Sequence, residues 1–145
     1  MDQLQKEQFM RLALDESRRA LPDCRPNPPV GCVLVRAGAV VAKGFTQAPG
    51  LDHAEAMALR LYDGALEDVA VFATLEPCSF VGRTPSCART LVERGVRQVY
   101  VALVDPHPKN RGAGIEILRA AGVEVEAGVL QDQVAAFLAP YLIRA

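Results

Sequence analysis

The chain lacks an excess of charge of either sign: 16 basic and 17 acidic residues leave a net charge of −1 and a pI near 6.1. A nucleic-acid binder normally carries a basic surplus that neutralises phosphates, so the balance argues against nucleic acid and for a small-molecule partner. No apolar run approaches the length that crosses a bilayer, which excludes a membrane-spanning helix. The opening MDQLQKEQFM is polar where a secretory signal would be apolar, so the expectation is a cytoplasmic, reducing setting. Repeats, low-complexity tracts and interdomain linkers are missing too, and residues 1–145 are expected to form one domain with a core of its own. Tryptophan is absent, histidine occurs only twice and cysteine four times. In a reducing compartment four cysteines suggest metal binding, catalysis or burial rather than disulfides.

What is present is a regular alternation of helical and strand patterns. Leu4, Phe9, Leu12, Ala13, Ala20 and Leu21 recur at helical spacing, and Pro22 with the following RPNPP cluster ends that helix in an irregular loop. The segment VGCVLVRAGAVVAKGF reads as two β-branched runs joined at Gly38, a hairpin. Asp52 is the expected N-cap of a helix rich in Ala, Met and Leu, with Gly64 near its end. Val69 to Leu75 is a strand, and a helix begins near Cys87 and runs to Gly95. VRQVYVALVD is a strand, GAGIEILRAAG a helix closed by Gly122, and VEVEAGV a strand. The tail from Leu130 to Ile143 is helical in composition, with Pro140 kinking or ending it. The order α-β-β-α-β-α-β-α-β-α predicts a mixed, partly parallel sheet covered on both faces: an α/β protein, a three-layer α/β/α sandwich with an antiparallel hairpin in it.

His53 opens one predicted helix in HAE, Cys78 follows a strand in LEPC, and Cys87 precedes the next helix. Ligand sites in α/β sheets form where strands end and helices begin, so these three side chains are expected to meet. One imidazole and two thiolates fill three positions of a tetrahedral zinc and leave one open, the pattern of a catalytic rather than a structural site. The eight residues between Cys78 and Cys87 exceed the usual ligand spacing, and taken singly either cysteine reads as a small buried side chain. As a set with HAE, the metal reading is the stronger. Cys24 and Cys32 read as buried. Glu55, two residues after His53 in the first turn of a helix, is placed to serve as general acid and base beside the open position. Zinc deaminases combine these parts: His and two Cys on zinc, with a nearby Glu that is not a ligand. Arg83, in the loop between the cysteines, reads equally as a solvated charge or a substrate contact.

RPNPPVGCVLV, HAE, ATLEPCSFVGRTPSC and DPHPKNRGAGIEILRAAGVEVEAGVL together resemble the pyrimidine deaminase domain of bacterial riboflavin biosynthesis, in the cytidine deaminase-like superfamily. The resemblance spans about Phe9 to Leu138 and implies that superfamily's five-stranded fold. It implies hydrolytic removal of an exocyclic amino group from a phosphoribosylated diaminopyrimidinone, with His53, Cys78 and Cys87 on zinc and Glu55 moving protons. It further implies that Asn27 and Arg83 contact substrate, with the main chain at Ala54 framing the site. Related deaminases are often joined to a reductase domain, for which these 145 residues leave no room, and they usually assemble as homo-oligomers.

Three residues depart from the family pattern at positions expected to face substrate. Thr46 stands where the family commonly has His, Phe80 where it has His, and His107 where it has Asn. Phe80 either stacks on a ring or simply packs. These departures keep a second substrate in view: a different free base, nucleoside or related heterocycle. A third reading, a zinc-binding regulatory protein without catalysis, would be signalled by loss of Glu55, which is present.

Overall fold

A computed structural model describes residues 1–142. The expected order of elements is found throughout: α1 (Gln3–Arg18), β1 (Gly31–Arg36), β2 (Ala39–Phe45), α2 (Ala54–Arg60), β3 (Val69–Leu75), α3 (Cys87–Glu93), β4 (Gln98–Leu103), α4 (Ala113–Ala120), β5 (Glu124–Ala127) and α5 (Gln131–Leu138). A 3-10 turn at Ala139–Tyr141 follows α5 and contains Pro140, so the proline marks the change from α-helix to a tighter turn. Ile143, the expected limit of that tail helix, lies outside the described residues.

The five strands form one sheet in the order β2-β1-β3-β4-β5. β1 pairs antiparallel with both β2 and β3, while β3, β4 and β5 run parallel. β1 and β2 are joined at Ala37 and Gly38, both with positive φ (51° and 77°), the geometry a two-residue hairpin turn requires. Alternation along the strands sorts their side chains to two faces. Cys32, Leu34, Val71, Val99 and Val101 pack against α2, α3 and α4 through Ala58, Leu91 and Leu118. Val33, Val35, Phe72 and Tyr100 pack against α1 and α5 through Met10, Leu14, Val134 and Leu138. The result is the expected three-layer α/β/α sandwich around a five-stranded mixed sheet. Central β3 is buried almost end to end, as a strand covered on both faces must be, whereas edge strand β5 is short and half-exposed.

This topology brings one set of ends together. Because β1 runs antiparallel to β3, the start of β1, the end of β2 and the ends of β3 and β4 lie along one edge of the sheet. Two glycines allow helices to close over that edge. A Cβ at Gly44 would collide with the Ala54 carbonyl of α2, and one at Gly114 with the Pro77 carbonyl beside Cys78.

The start of α2 departs from expectation by one residue. The N-cap is His53, in extended conformation (φ −71°, ψ 167°) and without a side-chain capping bond, not Asp52. Asp52 instead pairs with Arg60 at 2.6 Å. The shift leaves the His53 ring uncommitted to capping and available to the site.

Candidate metal centre and active site

Each member of the metal set comes from a chain end at that edge. His53 caps α2, Cys78 lies three residues beyond β3, and Cys87 is the first residue of α3. Their donor atoms converge, forming the one such cluster of His, Cys, Asp and Glu among the described residues. His53 Nδ1 lies 3.7 Å from Cys78 Sγ and 3.3 Å from Cys87 Sγ. A tetrahedral zinc with ordinary Zn–S and Zn–N bonds separates sulfur from nitrogen by about 3.5 Å, so these distances suit it. The electrostatics suit it too. Hydrogen bonding from Cys87 holds the Cys78 thiol down, to about 4, against the opposing effect of burial. The hydrogen bond with Cys78, followed by burial, pushes Cys87 up. With one thiol held down and its neighbour pushed up, both would ionise together only beside a cation, which a divalent soft metal would supply.

The support of Cys78 was not legible as a site in the sequence. Glu76, 3% exposed, accepts hydrogen bonds from the backbone N–H groups of Asp105 (3.0 Å), Gly112 (2.9 Å) and Ile115 (3.0 Å). Asn110, equally buried, brackets the cysteine: its Nδ2 donates to the Pro77 carbonyl (3.3 Å) and its Oδ1 accepts from Ser79 N–H (3.2 Å). The same amide also bonds Asp105 Oδ2 and Gly114 N–H. Cys87 is fixed from the other side. Its N–H donates to Cys78 Sγ at 3.2 Å, and the Ser86 hydroxyl donates to the Cys78 carbonyl at 2.8 Å. A charged residue directly after a buried strand was the available signal for Glu76. Asn110 offered none, because its partners lie up to 33 residues away.

Glu55 is 4% exposed in the first turn of α2. Burial pushes its carboxyl up to about 7, partly offset by the neighbouring His53, with Cys78 adding to the rise. A carboxyl in that range takes and gives a proton near neutral pH. The hydrogen bond to Cys78 raises His53.

The expected substrate contacts divide into two groups. Ala54 is fully buried and Thr46 nearly so. The Thr46 hydroxyl is taken up by Val30, accepting from its N–H at 3.0 Å and donating to its carbonyl at 3.4 Å. Thr46 thus ties the end of β2 to the segment leading from Asn27 into β1, and Asn27 itself is half-buried there. Phe80, Arg83 and His107 lie outward. Phe80 is 37% exposed, with its ring 5.8 Å from that of His107 and Lys109 Nζ 5.9 Å from its centroid. Arg83 is exposed and extends past Gly50, where a Cβ would fall 3.8 Å from Arg83 Cδ.

Comparison with known proteins agrees with this geometry. The family described as the cytidine and deoxycytidylate deaminase zinc-binding region matches residues 3–103. The riboflavin biosynthesis protein RibD of Aquifex aeolicus is 39% identical over 125 residues, covering 86% of this chain and 35% of that protein. A Thermotoga maritima structure described as a diaminohydroxyphosphoribosylaminopyrimidine deaminase/5-amino-6-(5-phosphoribosylamino)uracil reductase superposes with a TM-score of 0.89. It is 36% identical, over 96% of this chain and 40% of that one. The dCMP deaminase of cyanophage S-TIM5 superposes with a TM-score of 0.71 at 27% identity, over 88% of this chain and 99% of that one. The chain spans about a third of the length of the curated relatives it matches.

Proposed function

The chain belongs to the cytidine and deoxycytidylate deaminase zinc-binding family, and from that membership we propose that it is a hydrolytic deaminase of a (phosphoribosyl)aminopyrimidine of the riboflavin-pathway type. The convergence of His53, Cys78 and Cys87 beside buried Glu55 carries this reading. His53 Nδ1 and the two thiolates would hold zinc, which supplies a Lewis acid able to acidify water at neutral pH.

The remaining chemistry belongs to this chain's residues. Deamination adds water across a ring carbon that bears an amino group, and expels ammonia as a carbonyl forms. The Glu55 carboxylate takes a proton from the water and gives it to the ring nitrogen, then takes the remaining proton of the added hydroxyl as the carbonyl forms and gives it to the departing amine. Its raised pKa fits both halves of that task. Burial of Glu55 limits competing water. Asn27, the main chain at Ala54, and Arg83 frame the substrate, while Phe80 and His107 present ring faces at the mouth.

Those two rings favour one alternative in particular, a different aminopyrimidine or related heterocycle held by stacking rather than by hydrogen bonds. Residues 1–145 acting as a single deaminase unit in the cytoplasm belong to the same proposal. No helix among the described residues is long and apolar enough to cross a membrane. Self-association is also proposed: exposed Leu51, Leu61 and Val81 offer apolar surface for a second copy to cover, which light scattering will test.

The functional test supplies the zinc-loaded protein with the diaminopyrimidinone ribosyl phosphate and a panel of aminopyrimidine bases and nucleosides, reading ammonia release. Release from the ribosyl phosphate alone is expected. Release only from other members of the panel would move the assignment to the alternative, and none from any would overturn the enzymatic reading.

A further inference from the structure

Resting on the metal assignment above, we infer that Thr84 is a positioning residue that grips the outer edge of the His53 ring and so fixes which nitrogen faces the thiols. The two nitrogens of an imidazole point in different directions, so when one joins a metal the other needs a partner of its own. Nδ1 faces Cys78 and Cys87, and Nε2 lies 3.1 Å from Thr84 Oγ1. With the Nδ1 lone pair given to a cation, the ring proton sits on Nε2, and Nε2–H donates to the Thr84 oxygen.

His53 needs this anchor because its own element provides little. It is an N-cap with an extended backbone and no side-chain capping bond, so local structure leaves the ring free to turn. Thr84, by contrast, belongs to a loop pinned at its base. Cys87 N–H reaches Cys78 Sγ, Ala88 N–H reaches the Cys78 carbonyl at 3.1 Å, and the Ser86 hydroxyl reaches that same carbonyl. Gly82 N–H donates to the Thr84 carbonyl at 3.2 Å, closing the turn that presents the hydroxyl.

The wide spacing of the cysteines acquires a physical purpose. A two-residue spacer returns the chain at once to the metal and has no length left to pass round the histidine. Eight residues carry it past the far edge of the ring, so one loop supplies both thiols on the Nδ1 side and a hydroxyl on the Nε2 side. Arg83 and Phe80 ride on that loop, which links the mouth to the ligand set.

The test compares wild-type protein with Thr84→Val, which keeps the shape and loses the hydroxyl, and Thr84→Ser, which keeps the hydroxyl. Zinc affinity is measured by competition with a chromophoric chelator, and ligand geometry by absorption of the cobalt-substituted proteins. Thr84→Val is expected to weaken zinc binding roughly 10- to 100-fold and to alter the cobalt spectrum, with Thr84→Ser close to wild type in both. Wild-type affinity in Thr84→Val, or an equal loss in Thr84→Ser, would overturn the role of the hydroxyl. A wild-type protein that binds no zinc would instead overturn the metal assignment on which it rests.

Discussion

The corner that holds His53, Cys78 and Cys87 and the outward group of Phe80, Arg83 and His107 are built on opposite physical terms. In the corner, nearly every polar atom is spoken for. Glu76 and Asn110 alone gather seven hydrogen bonds, five of them with groups 29 to 39 residues away. In the outward group Phe80 and Arg83 stand in solvent, and the Phe80 ring lies beside the His107 ring and the Lys109 ammonium. Variation is tolerated in one of these regions and not in the other. A change in the corner leaves buried donors or acceptors unpaired, whereas a change in the outward group, where we place substrate recognition, costs the fold little.

The sharpest way to break this comparison is at Glu55, which joins the corner's burial to the reaction itself. Glu55→Gln should retain zinc while ammonia release falls by roughly 10²- to 10⁴-fold, the range expected for loss of a general acid and base. Metal analysis and an ammonia assay on the same sample will check both halves. Glu76→Ala probes the corner's scaffold. It strands the N–H groups of Asp105, Gly112 and Ile115, so urea unfolding should show a loss of about 3 kcal/mol or more. A loss below about 0.5 kcal/mol would mean that the network adds no more than an exposed contact.

A third prediction uses pH. Because burial raises the Glu55 carboxyl from 4.5 to about 7, the folded protein holds that proton more tightly than the unfolded chain. Its contribution to stability is therefore intact below the unfolded value and declines as pH rises through the folded one. In chelator-stripped protein, Glu55→Gln should flatten that decline, by up to roughly 3 kcal/mol across the interval. Parallel slopes for the two proteins would contradict the buried-carboxyl account. The smallest effect on stability is expected in the outward group. Phe80→Ala should move the unfolding free energy by less than about 0.5 kcal/mol. It should nonetheless raise KM for the true substrate, and unchanged KM across the substrate panel would remove Phe80 from recognition.

The same contrast explains what could be read before the structure. The order of elements, the bounds of β3 and the hairpin at Gly38 follow from local patterning, and so does the placing of His53, Cys78 and Cys87 at chain ends along one edge. Local patterning failed where a long-range partner decided the outcome. Asp52 has the chemistry of a cap but is drawn to Arg60, which leaves His53 to begin α2. The bond from the Thr46 hydroxyl to Val30, 16 residues earlier, likewise had no local signal. Glu76, Thr84 and Asn110 look unexceptional in the sequence because their roles depend mainly on groups between 29 and 39 residues away. Thr84 is the clearest instance, a threonine in a loop whose importance comes from a histidine 31 residues earlier.

We have proposed that one metal ion at His53, Cys78 and Cys87 supports deamination. The most direct measurement is a zinc titration of chelator-stripped protein with ammonia release followed at each addition. Activity should begin near zero, rise with added zinc and level off at one equivalent per chain, with Cys87→Ser inactive throughout. Full activity in the stripped protein, or an unchanged titration in Cys87→Ser, would contradict it.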